Sequence, residues 1–98
     1  MSTIRPIDDF VDLTAFQRDV LWTLAGEDGL SGATVKATLE SYYDDDVNPG
    51  TVYPGLDKLA ERGLVQKGKR DERTNEYTLT EEGRKALSAR RLWEGESL

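Results

Sequence analysis

Ninety-eight residues, 37% hydrophobic and 33% charged, describe one small soluble domain whose core cannot enclose an elaborate active site. Cysteine and histidine are both absent, which excludes disulfides, thiolate nucleophiles, zinc-finger ligands and imidazole bases. The net charge is -6, yet residues 58–91 hold 10 basic and 6 acidic side chains while residues 1–57 hold 3 and 11, so a local cationic field sits on an anionic chain.

The opening MSTIRPIDDF has neither a basic leader nor an apolar core, and no apolar run approaches the roughly 18 residues of a membrane span. A cytoplasmic protein is expected. Residues 1–13 form an N-terminal segment in which Pro6 argues against a continuous helix. The first convincing helix opens at Thr14, whose T-x-x-Q spacing to Gln17 predicts a capping box with Leu13 as a hydrophobic staple. Phe16, Val20, Leu21 and Leu24 recur at helical spacing, and Gly26 and Gly29 end the pattern.

A second helix is predicted after Ser31 as N-cap, with Val35, Leu39 and Tyr42 or Tyr43 on its apolar side. It dissolves into Asp44, Asp45 and Asp46, a cluster expected to be a solvated helix end and not a metal or catalytic site. The third helix starts at Asn48 as N-cap with Pro49 at the first helical position, carries Val52, Leu56, Leu59 and Ala60 as its apolar stripe, and stops at Gly63. LVQKGKR and NEYTLT then read as a hairpin with a charged tip, Leu64, Tyr77 and Leu79 turning inward. Thr80 caps a last helix through GRKALSARRLWE, with Glu81 and Glu82 beside its positive end and a tail, GESL, expected to fray.

The expected fold is therefore mainly α with a small β-hairpin. It is a winged helix-turn-helix over residues 14–80, with an additional C-terminal helix and frayed tail over 81–98. PGTVYPGLDKLAERGLV followed by NEYTLTEEGRKAL resembles the PadR family of winged-helix transcriptional regulators over residues 14 to about 92. The acidic bias makes the chain similar to haloarchaeal members. It differs from many relatives in having Ser31 before Gly32, where they have histidine, and a single terminal helix in place of a long dimerisation domain.

The outline and the resemblance imply a sequence-specific regulator of transcription that binds double-stranded DNA, expected to repress. Its recognition helix, about 48–63, would enter the major groove, and its wing, about 64–79, would lie on the backbone or minor groove. Candidate DNA contacts on the helix are Asn48, Gly50, Thr51, Tyr53, Pro54 and Lys58; those on the wing are Lys67, Lys69, Arg70, Arg73, Thr74 and Asn75. Pro54, mid-helix, has no N–H for the Gly50 carbonyl. A kinked first turn would then set the angle of Tyr53 and bring unpaired N–H groups near Gly50 to a phosphate. The bland alternative packs Tyr53 against the preceding helix.

A homodimer is expected, with Ile4, Ile7, Phe10 and Val11 at the front and Leu92 and Trp93 at the back as its seam, unless the front segment folds over its own domain. No enzymatic activity, cofactor, metal or membrane contact is expected, and no effector is identified. The rival function is a winged helix that serves as a protein adaptor without DNA binding.

Overall fold

The computed structural model describes residues 5–98, so Ile4 lies outside the described residues. Five helices and three short strands follow in the order α1 (Pro6–Val11), α2 (Ala15–Ala25), β1 (Leu30–Ser31), α3 (Gly32–Tyr43), α4 (Pro49–Glu61), β2 (Val65–Lys69), β3 (Asn75–Leu79) and α5 (Glu81–Ser97).

Residues 6–11 are helical, contrary to the expectation drawn from Pro6. Proline at the first helical position gives up an N–H that the helix does not use, and Arg5 donates its backbone N–H to Asp8 Oδ2 at 2.9 Å to close the turn. Six residues do not make a stable helix alone; packing against α5 holds α1 in place. Phe10 is 2% exposed, with the Arg18 and Arg90 guanidinium groups 4.7 and 5.2 Å from its ring centroid. Phe10 thus belongs to the core of its own chain and leaves the expected dimer seam. Ile7 packs against the same core, while Val11, Leu92 and Trp93 remain exposed.

The helix signals act as their chemistry dictates. Thr14 and Gln17 exchange both capping-box bonds, at 3.1 and 3.0 Å. Ser31 Oγ accepts from the Thr34 N–H at 3.1 Å, and Asn48 Oδ1 accepts from Gly50 at 2.7 Å. At the end of α4 the Gly63 N–H reaches the Ala60 carbonyl and the Leu64 N–H reaches Leu59, both at 3.0 Å. That closure requires the left-handed backbone of Gly63, φ 77°. α3 ends on a left-handed Asp44, and of its two tyrosines Tyr43 leans on Phe16 whereas Tyr42 is 78% exposed.

The sheet has three strands and not two. β1 pairs antiparallel with β3, Leu30 opposite Tyr77, and β3 pairs with β2, Val65 opposite Leu79, giving the order β1-β3-β2. Leu64, Tyr77 and Leu79 turn inward as expected and join Val20, Leu21, Leu24, Val35, Val52, Leu56 and Leu59 in a single core. The final helix continues to Ser97, past the point where fraying was expected. Its start is locked by Thr80, whose N–H donates to the Leu64 carbonyl, whose hydroxyl donates to Gly63, and whose Oγ1 accepts from Gly83 at 3.0 Å. α5 passes so close to Leu64 that a Cβ on Gly83 would collide with the Leu64 carbonyl.

Candidate nucleic-acid interface

α4 buries Val52, Gly55, Leu56 and Leu59 and leaves Thr51, Tyr53, Pro54, Asp57 and Lys58 exposed. The helix runs through Pro54 without interruption from Pro49 to Glu61. Its position is set from behind by Glu40. That carboxylate accepts from the Val47 backbone N–H at 3.0 Å and from Lys36 at 2.9 Å, tying the last turn of α3 to the start of α4. The Val47 hydrogen bond, then the Lys36 one, holds the Glu40 carboxyl below its ordinary pKa.

Donors at the start of α4 are not free. Pro49 has none, Gly50 donates to the Asn48 side chain, and Thr51 and Val52 donate to the Asn48 carbonyl at 2.9 and 3.2 Å. The expectation of unpaired N–H groups near Gly50 is therefore corrected: Asn48 folds back over the helix end and occupies them. Tyr53 lies over the first residue of α3, so closely that a Cβ on Gly32 would overlap its ring, yet it stays 43% exposed. Tyr53 thus leans on α3, as the alternative reading had it, and keeps an outward edge of its ring exposed.

The wing adjoins this helix directly. Lys67 Nζ on β2 lies 3.2 Å from Asp57 Oδ1 on α4, and the hydrogen bond it donates to that carboxylate raises the Lys67 pKa. Arg70 lies along the surface, its guanidinium donating to the Gly29 carbonyl and pairing with Glu76 at 3.3 Å. Lys69 and Arg73 are exposed and form no ion pair among the described residues. Asp71 does not merely dilute the tip charge. Its Oδ1 accepts from the Arg73 and Thr74 N–H groups at 2.9 and 2.8 Å, and the Arg73 bond foremost lowers its pKa. Thr74 is half-buried with its carbonyl taken by Arg70, and Asn75 is exposed at the start of β3.

Of the twelve candidate positions, all but the half-buried Thr74 are exposed, and Lys69 and Arg73 are the charged ones among them that form no ion pair among the described residues. Lys58 stands 3.9 Å from Glu61. Sequence reasoning missed Asp57 as the link between helix and wing, Glu40 as the brace of α4, and Thr14 and Gln17, which line a shallow groove beside Gly50, Thr51 and Lys58. The first two are signalled only by long side chains reaching 10 and 7 residues along the chain. No group of three carboxylates placed to hold a metal occurs among the described residues, and no helix is long and apolar enough to cross a membrane.

Three helices, a strand that edges the sheet, and a β-hairpin beside the third of those helices define a winged helix-turn-helix protein of the transcription-regulator class. The model of the PadR-like transcriptional regulator family matches residues 20–89, and the chain belongs to that family. It is 43% identical to RosR of H. salinarum in one complex structure, over 94% of this chain and 79% of that one, with a TM-score of 0.91. A RosR structure grown from NaBr gives 45% identity over 88% and 77% of the two chains, with a TM-score of 0.84. The PcaV regulator of Streptomyces coelicolor, in complex with its natural ligand, is 29% identical over 76% of this chain and 50% of that one, TM-score 0.65. No curated protein matches the chain. Family and neighbours are transcriptional regulators, not enzymes.

Proposed function

We propose that the chain is a cytoplasmic DNA-binding regulator that docks α4 in the major groove and lays the β2–β3 wing on the adjoining backbone or minor groove, acting as a repressor when bound at an operator. The observation that carries this reading is the 3.2 Å bridge between Asp57 and Lys67, which fixes helix and wing side by side so that one duplex can meet both. Thr51, Tyr53, Pro54 and Lys58 are then the base-edge and groove-wall candidates, and Lys69 and Arg73 the phosphate contacts. Asn48 positions the helix start through Oδ1, which occupies the Gly50 N–H, and its amide nitrogen is the donor left at that end.

We also propose a homodimer that pairs two reading heads on two half-sites, through the exposed Val11, Leu92 and Trp93 with the flanking Ile7; the similarity to RosR of H. salinarum, one structure of which was grown from NaBr, supports a halophilic setting. An adaptor role finds less support, because the wing that Lys67 bridges to α4 also carries Lys69 and Arg73, exposed and without an ion pair among the described residues.

Selection of bound duplexes from a random library tests the reading. A defined consensus should emerge, Tyr53→Ala and Lys58→Ala should each relax it at particular positions at a cost of about 1–3 kcal/mol, and Lys69→Ala should weaken all duplexes alike. A folded protein that enriches no sequence and binds no duplex would refute the proposal.

A further inference from the structure

Away from the helix and wing, α2 and α3 enclose a cleft of about 320 Å³ lined by Asp19, Trp22, Thr23, Thr38, Leu39 and Tyr42. That is within the range of ~300–1,000 Å³ typical of small-ligand sites. Its polar groups are few and mostly committed. The Thr23 hydroxyl donates to the Asp19 carbonyl and the Thr38 hydroxyl to the Thr34 carbonyl, both at 2.9 Å. What remains is the Asp19 carboxylate, the aromatic rings of Trp22 and Tyr42, and their single polar atoms, the indole N–H and the phenol. Asp19 forms no ion pair among the described residues, and its Oδ2 accepts the Tyr43 hydroxyl at 2.5 Å. Burial, and then this bond to Asp19, push the Tyr43 phenol up to about 12, so Tyr43 stays a neutral donor that orients the carboxylate.

We propose that this cleft binds a small organic monocation with an apolar body, of the quaternary ammonium kind. A cation with no N–H to satisfy needs a single counter-charge and π faces, and here Asp19 supplies the first and Trp22 and Tyr42 the second. Anions are disfavoured by Asp19 and by the surplus of acidic side chains over residues 1–57. A neutral ligand would leave the Asp19 carboxylate without a counter-charge. The smaller cleft on the other side of Trp22, about 200 Å³ with Arg84 and Arg91 in its wall, has the opposite charge and cannot serve the same ligand.

The test uses choline and its neutral carbon isostere, 3,3-dimethylbutan-1-ol, at constant chloride and ionic strength. The readout is the Trp22 indole N–H cross-peak in a ¹H–¹⁵N spectrum, assigned by its persistence in Trp93→Phe. Choline should shift the peak saturably and bind about tenfold or more tighter than the isostere, and Asp19→Asn should erase that difference. Tyr42→Ala, which removes an exposed ring and leaves the core intact, should weaken choline alone and covers the case in which Asp19→Asn fails to fold. No saturable shift, equal affinity for both probes, or unchanged choline binding in either folded variant would overturn the proposal.

Discussion

Two glycines show how single residues set the geometry of the reading face. Gly83 has backbone against it, the Leu64 carbonyl, whereas Gly32 has only the far end of the Tyr53 ring. The same substitution should therefore act differently at the two sites. Gly83→Ala must move α5 off the hairpin and should lower unfolding stability by about 1–3 kcal/mol, as overpacking does. Gly32→Ala should leave the denaturation midpoint nearly unchanged while displacing Tyr53, so that its DNA-binding profile matches that of a Tyr53 variant. Chemical denaturation and duplex selection, run on both proteins, separate the two effects. The Y-x-L-T-x-x-G pattern in the sequence thereby acquires a cause: Thr80 closes three hydrogen bonds around the point where Gly83 lets two backbones meet.

Among the elements, those announced by local chemistry were legible in the sequence. Caps at Thr14, Ser31, Asn48 and Thr80, and the left-handed Gly63, act within four residues of where they stand, and α2 to α5 follow from them. α1 was not legible, because Pro6 serves as both helix starter and helix breaker and only the packing of Phe10 between Arg18 and Arg90 decides which. β1 is two residues long and is defined wholly by its partner in β3, some 46 positions away; no local pattern can announce it. Glu40 was missed because its spacing from Lys36 reads as an ordinary ion pair on a helix face, and the Val47 N–H it also accepts belongs to the irregular link beyond the helix.

Its brace yields a pH-dependent prediction. Because the folded Glu40 carboxyl titrates below its usual 4.5, the stability it contributes is fully present above that pH and is lost as pH falls through the folded value. The Gln side chain of Glu40→Gln can still accept from Val47, so the variant isolates the charge. Denaturation midpoints of wild type and variant should differ at pH 7 and converge in acid, once the pH has fallen below the lowered folded value; a gap that persists in acid would assign the effect to shape instead.

At the scale of the whole molecule, an anionic chain carries a basic wing bridged to α4, and among the described residues the large apolar side chains left exposed are Val11, Tyr42, Tyr43, Tyr53, Leu92, Trp93 and Leu98. Leu92 and Trp93 lie at adjoining positions on α5, near the Arg90 guanidinium that stacks 4.5 Å from the Trp93 ring. Sedimentation should show a dimer for the native chain and a lighter species for Trp93→Glu, with α5 still helical by circular dichroism. An unaltered sedimentation coefficient would remove this face from the seam.

Charge pairing also changes the expected salt response. With Lys67 held by Asp57 and Arg70 by Glu76, two wing cations and not four are free to displace counterions from phosphate, so binding should weaken with salt less steeply than the basic count suggests. The most direct measurement is the KCl dependence of duplex affinity for wild type and Lys69→Ala/Arg73→Ala, a pair of substitutions that touches neither the core nor α4. The log–log slope should fall by about 0.9 for each lost contact, or about 1.8 per reading head, with the selected sequence unchanged. Identical affinity and slope in the two proteins would show that the wing does not touch DNA and would contradict the account.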